Sequence, residues 1–162
     1  MALISGFVAR RRMRRLRNLT ILFGLLALGW WLAEAPPPAI GPEQVSERFT
    51  RCGVPGSGFA CVVDGDSFRL GERRIRIRGI DAPEREGRCQ AESELATKAA
   101  DRLVELLNDA PFVMTARRQD ERDRYGRELR VLTRGAKSIG ETMVAEGFAH
   151  DYAGAKTSWC SP

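Results

Sequence analysis

Residues Cys61 to Glu84, C-V-V-D-G-D-S-F-R-L-G-E-R-R-I-R-I-R-G-I-D-A-P-E, constrain the fold more than any other stretch of the chain. Three β-type runs follow one another here, Phe59–Val63, Ser67–Leu70 and Arg74–Ile80. Asp64-Gly65 and Gly71-Glu72 separate them, both two-residue pairs of the kind that close tight hairpins. The carboxylates Asp64, Asp66, Asp81 and Glu84 sit at the ends of the runs. A meander brings Asp66, at the start of one strand, towards Asp81 and Glu84, just after another. A carboxylate cluster beside the Arg76 guanidinium suits a site that holds a metal ion and a phosphate together. Alternatively, Asp64-Gly65 is only a turn and the arginines only a solvated face.

Beyond Glu84 the hydrophobic period changes from two to 3.6. Ala91, Leu95, Ala99, Leu103, Val104 and Leu107 form one apolar face, which predicts a helix from about Ala91 to Leu107. Pro111–Ala116 and Arg127–Thr133 read as strands joined by a charged segment. Ser138-x-x-Glu141 opens a second helix with a capping box, and Gly147 stands where a C-terminal cap belongs. The order is three strands, helix, two strands, helix. An α+β, mainly β fold follows, a five-stranded Greek-key barrel of the OB type with two or three helices.

Charge says little about the partner. Of the 26 basic residues, six arginines precede residue 19; without them 20 basic residues face 21 acidic ones, so the formal charge of +5 resides in the N-terminus. Any affinity for phosphate must come from local placement. Directly after the arginines, Leu19–Ala33 is an uninterrupted apolar run, somewhat shorter than the roughly 20 residues that usually span a bilayer. Arginine-rich flanks stay cytoplasmic, so the rest of the chain is expected to be exported. Ala33-Glu34-Ala35 resembles a signal-peptidase box, but Pro36 disfavours cleavage, and Trp30 and Trp31 suit the far interface of a retained anchor. The expected organisation is residues 1–35 as basic N-terminus and membrane anchor or signal peptide, 36–51 as a proline-rich linker, and 52–162 as the folded domain. Its place is then the periplasmic face of the inner membrane, or outside the cell if the anchor is cut.

Four cysteines, Cys52, Cys61, Cys89 and Cys160, fit an oxidising compartment and allow three disulfide pairings. Zinc is disfavoured, since there is no C-x-x-C pair and His150 is the only histidine. Cys52 and Cys61 bracket a Gly/Pro loop, where a local bridge is easy. That pairing leaves Cys89 to join Cys160.

The motifs V-D-G-D-S-F, R-I-R-G-I-D-A-P-E and D-R-Y-G-R occur in an order and spacing that resemble the staphylococcal nuclease (thermonuclease) family, over about Phe59 to Tyr152. The resemblance implies an OB-fold barrel, dependence on Ca²⁺ and hydrolysis of phosphodiesters in DNA and RNA. By motif position, Asp66 and Asp81 would bind Ca²⁺ through carboxylates and Ala82 through its backbone carbonyl. Glu84 matches the family's general base, and Arg76 and Arg127 its phosphate-binding arginines. Asp64 falls near the metal, and Arg124 and Tyr125 fall near the nucleotide. Ala82 stands where the staphylococcal enzyme has threonine, a change that a backbone ligand survives. The family's long C-terminal helix is absent or much reduced, with Trp159 and Cys160 in its place. Tyr152 matches a nucleotide-stacking tyrosine only approximately. The competing expectation is an inactive, membrane-tethered OB module that binds nucleic acid or protein, but such a domain is expected to lose Glu84, Arg76 or a metal carboxylate, and all are present. No feature points to a protein partner, and a monomer is expected.

Overall fold

The computed structural model describes residues 41–117 and 121–160, together with Thr20, Ile21, Phe23 and Gly24. The apolar run Leu19–Ala33 and the three prolines after it lie almost wholly outside the described residues. Among those described, no helix is long and apolar enough to cross a membrane. The unit Ala39–Pro162 carries the elements that follow.

In chain order these are β1 (Glu43–Val45), β2 (Thr50–Arg51), β3 (Ala60–Asp64), β4 (Ser67–Leu70), β5 (Arg73–Ile77), β6 (Ile80–Asp81), α1 (Gln90–Asp109), β7 (Phe112–Thr115), β8 (Glu128–Arg134), β9 (Lys137–Ser138), α2 (Ile139–Ala145) and β10 (His150–Asp151). The five expected strands are β3, β4, β5, β7 and β8. They lie side by side in the order β3-β4-β5-β8-β7, with β5 and β8 parallel. This mainly β sheet, curled as a half-barrel and accompanied by two helices, fits an OB-like α+β fold.

Three short strands extend the sheet beyond that expectation: β1 pairs with β7, β2 runs parallel to β3, and β9 pairs with β8. Residues 43–45 and 50–51, which fall in the expected linker, are thus part of the sheet, and Val45 and Phe49 are both 1% exposed. The Phe49 ring meets Phe68 edge-on at 5.4 Å and Phe112 at 6.0 Å. Such contacts join Phe49 to the core residues of β4 and β7.

Two turns depart from the expected positions in a way that matters for the site. The first hairpin closes at Gly65-Asp66 rather than Asp64-Gly65, because β3 carries a bulge between Val62 and Asp64. The expected strand Arg74–Ile80 is broken at Arg78-Gly79, where Gly79 adopts φ +82°. A left-handed residue ends the ladder with β4, and Ile80–Asp81 turns away to pair with β10.

Helix α1 is two residues longer than expected at its C-terminus, and its buried face is shifted. Ala96, Ala99, Ala100, Leu103 and Leu107 are buried, whereas Ala91 is exposed and the carboxylate Glu92 takes the inward position in the first turn. Helix α2 is capped as its sequence predicts. The Ser138 hydroxyl accepts from the Glu141 amide at 3.2 Å, and Gly147, at φ +77°, ends it with Phe148 N–H donating to Met143 O at 2.9 Å. After β10 no further helix is described, and residues 152–160 run as an irregular strap.

Candidate active site

Gly65 determines how closely the first turn approaches the helix. A β-carbon there would lie 2.8 Å from the Cβ atoms of both Ala82 and Ala99. With glycine in place, Asp66 is 3% exposed and its Oδ2 accepts from the Ala82 amide at 3.2 Å. Its Oδ1 accepts from the Ser67 hydroxyl at 2.6 Å. The break at Gly79 turns Asp81, also 3% exposed, back towards Asp66. Arg76, on β5, joins the two: its Nη1 lies 2.7 Å from Asp66 Oδ2 and its Nη2 lies 3.1 Å from Asp81 Oδ1. The same Nη2 donates to Ile80 O at 3.3 Å and braces the turn.

Arg127 comes from the other side of the sequence. Asp123 Oδ1 accepts from the amides of Tyr125 and Arg127, each at 2.9 Å, and its Oδ2 accepts from Arg127 Nε at 2.6 Å. Burial alone would raise the Asp123 carboxyl, but the hydrogen bonds from Arg127 and Tyr125 outweigh it and hold the pKa below the usual range. Arg127 Nη1 donates to Ser67 Oγ at 3.3 Å, so Ser67 connects this guanidinium to Asp66. Tyr125 is 58% exposed, with the Arg124 guanidinium 4.8 Å and that of Arg127 5.5 Å from its ring.

Glu84 lies just after Pro83, half exposed, and forms an ion pair with Lys156 of the C-terminal strap. Lys156 Nζ is also 3.7 Å from Asp81 Oδ1. Asp64, Arg76, Asp81, Glu84, Arg127 and Lys156 all line one open groove of about 1030 Å³, together with Arg124 and Tyr125. The structure thus brings the sequence-predicted residues together. It also shows that Arg76 is engaged by both carboxylates, whereas Arg127 Nη2 has no hydrogen bond among the described residues.

Whether these residues suit a cation can be judged from Asp66. Burial and the nearby charge of Asp64 push its pKa up to about 7, and Arg76 and Ser67 offset this only in part. Two buried carboxylates and a third acid face the Arg76 guanidinium and, at 3.7 Å from Asp81, the Lys156 ammonium it shares with Glu84, and are still short of positive charge. Oxygen donors in that state suit a hard divalent cation, which Asp66 and Asp81 could hold through their carboxylates. Among the described residues the group of three side chains with metal-like spacing is Cys89, Glu92 and Cys160 rather than the aspartates, and both of its sulfurs are joined in a disulfide.

Some residues of the site were not foreseen. Ser67 and Asp123 lie inside the recognised motifs, one residue from Asp66 and four from Arg127, and their polarity there was the available signal. Lys156 had none. It reaches the groove because Cys89 is bonded to Cys160, the pairing expected from the sequence, as is Cys52 to Cys61.

Over 91 residues the chain is 30% identical to endonuclease YncB of Bacillus subtilis (strain 168), an overlap of 54% of this chain and 43% of that protein. It is 31% identical over 91 residues to the SPbeta prophage-derived endonuclease YokF of the same organism, covering 54% of this chain and 31% of that one. The chain thus matches less than half the length of either relative. A model of the staphylococcal nuclease homologues matches residues 74–160, beginning after Asp66. Because that match spans more than half of the chain and takes in Arg76, Asp81, Ala82, Glu84 and Arg127, the chain belongs to the staphylococcal nuclease homologue family.

Proposed function

We propose that the chain is a calcium-dependent nuclease that cleaves phosphodiester bonds within DNA, RNA or both, outside the cytoplasm. The observation that carries this is the convergence of Asp81, Arg76, Arg127 and Glu84 on one open groove, with buried Asp66 tied to them through Arg76 and Ser67. The names of the two Bacillus endonucleases favour the same chemistry.

A phosphodiester is anionic and repels nucleophiles, so its site must supply positive charge before water can attack. When bound, a divalent cation offsets one non-bridging oxygen and orients the attacking water. Asp66 and Asp81 would hold it, and Arg76 links the two carboxylates. Arg127, anchored through Nε by Asp123, presents Nη2 to a phosphate oxygen as charge develops there. Glu84, half exposed and at the groove, takes the proton of the attacking water on a carboxylate oxygen. Arg124 and Tyr125 lie beside Arg127 at the surface, where a nucleotide base or a neighbouring phosphate would meet them.

For location we infer an anchor at Leu19–Ala33 with the catalytic domain on the periplasmic side, or secretion if the segment is cut. Two disulfides favour an oxidising compartment. The test of the activity is release of short oligonucleotides from DNA and from RNA with Ca²⁺ and with a chelator. Cleavage that needs Ca²⁺ and is lost in Glu84→Gln supports the proposal; a folded protein that cleaves neither polymer sinks it.

A further inference from the structure

The strap after β10 has no regular structure, yet it is held at both ends. Tyr152 N–H donates to Gly79 O at 2.8 Å, and Cys160 is bonded to Cys89. Next to that bond, Trp159 stacks on His150 with ring centroids 3.7 Å apart and planes 2° from parallel. Between these fixed points Lys156 reaches into the groove and pairs with Glu84, 3.7 Å from Asp81 Oδ1. Of the groove's other cations, Arg117, Arg124 and Arg127 come from the segment between β7 and β8, Arg78 is paired with Glu121, and Arg76 is committed to two carboxylates. Lys156 brings a separate charge, from a separate part of the chain.

Its partner holds it weakly. Lys156 and Glu84 side chains are each 56% exposed, so solvent screens their ion pair and competes for both partners. A phosphate oxygen competes with the Glu84 carboxylate on similar terms, since either accepts a charge-assisted hydrogen bond from the ammonium. Lysine is a compact charge on a flexible stem, suited to a backbone phosphate whose position varies with the sequence bound. We propose that Lys156 is a ligand for a substrate phosphate, parked on Glu84 until a polynucleotide backbone enters the groove and draws it off the carboxylate. The exchange replaces one ionic hydrogen bond by another and uncovers the base only when substrate is present. This rests on the nuclease reading of the same groove and adds to it both a ligand and a link between binding and the freeing of Glu84.

The test compares wild type, Lys156→Gln and Lys156→Arg in Ca²⁺ buffer over a range of NaCl. KM and kcat are measured in the active proteins, and binding of a single-stranded oligonucleotide in the Glu84→Gln background, where it stays intact. Lys156→Gln should raise KM by about three- to tenfold with a smaller change in kcat. It should also lower the slope of log affinity against log salt by about 0.7–0.9, the loss of one phosphate contact. Lys156→Arg should restore the slope. An unchanged slope overturns the proposal, whether kcat rises, which makes Lys156 a brake on Glu84, or stays as it was. A wild type that neither binds nor cleaves nucleic acid overturns the nuclease reading itself, and this inference with it.

Discussion

Gly65 shows how little space the site leaves. A methyl there meets two alanine β-carbons at 2.8 Å, one of them on the helix α1, so it cannot be relieved by turning a flexible side chain. Gly65→Ala should cost about 1–3 kcal/mol by overpacking and should weaken Ca²⁺ binding, because Asp66 and Ala82 move with the turn. Urea unfolding and titration calorimetry read the two effects, and a variant unchanged in both removes Gly65 from this role. Glu84→Gln differs in kind. Its side chain is half exposed, so the fold and Ca²⁺ affinity should persist while turnover falls by about 10²–10⁴-fold, the usual worth of a general base. Near-normal turnover would exclude Glu84 as the base. Arg127→Lys keeps the charge but loses the fork that reaches Asp123 and Ser67 and leaves Nη2 for the proposed phosphate contact. Turnover should drop more than substrate binding does; a change confined to thermal stability would reduce Arg127 to a brace for its loop.

Among the elements, β8 joins the sheet through an ion cluster at its first residues. Glu128 accepts from Arg73 Nε at 3.2 Å and Arg73 Nη2 at 2.8 Å, and from Arg130 Nη2 at 2.8 Å. Arg73 reaches on to Glu43 of β1 with bonds of 2.7 and 2.9 Å. One guanidinium thus links β1, β5 and β8. Burial alone would raise the Glu128 carboxyl, but the Arg73 hydrogen bonds and the charges of Arg73, Arg130 and Arg122 hold it below its ordinary value. A carboxyl with a depressed folded-state pKa stabilises the protein above its unfolded value and loses that contribution as pH falls through the folded one. Glu128→Gln leaves Arg130, 2% exposed, without its countercharge, and should cost about 3 kcal/mol at neutral pH. The difference from wild type should narrow as pH falls below the ordinary glutamate range and through the depressed folded-state value, where wild type loses the charge as well. Thermal melts across that range decide it, and a gap independent of pH would mean that packing, not charge, is lost.

At the scale of the molecule the two disulfides do different work. Cys52–Cys61 closes a separation of 9 residues and Cys89–Cys160 one of 71. In the chain-entropy model these are worth about 3 and about 4 kcal/mol. The longer bridge also ties the strap to the loop that follows Glu84. That loop is held from the helix side as well, where Glu92 accepts from the Arg88 amide at 2.8 Å and lies 3.6 Å from Cys160 Sγ. Removing Cys89–Cys160 should therefore lower activity at temperatures where the barrel is still folded. The Cys52→Ser/Cys61→Ser pair should lower the melting temperature with less effect on activity. Equal loss of activity and fold in the Cys89→Ser/Cys160→Ser pair would mean that the bridge supports only stability. Peptide mapping without reductant checks the pairing directly.

Local rules were enough for much of this. Alternating apolar residues and glycine turns specified β3, β4 and β5, periodicity specified α1, and Ser138 with Gly147 specified both ends of α2, since each depends on neighbours within a few positions. Their places at the ends of neighbouring runs marked Asp66, Asp81, Glu84 and Arg76, whereas Arg127 was marked only by the resemblance of its motif to the staphylococcal nuclease family. What lay beyond the sequence depended on contacts between distant segments. Short strands such as β1 and β2 carry too few residues to show a period, and they exist because β7 and β3 offer edges to pair with. Glu92 turned inward because the loop after Glu84 presents amides there, outweighing the apolar pattern that favoured Ala91. The commitment of Arg76 to two carboxylates, and the placing of Lys156 beside Glu84, were decided by the turn at Gly79 and a disulfide spanning 71 positions. Neither leaves a trace in local sequence, because both arise only when the tertiary fold brings remote charges within ion-pair distance.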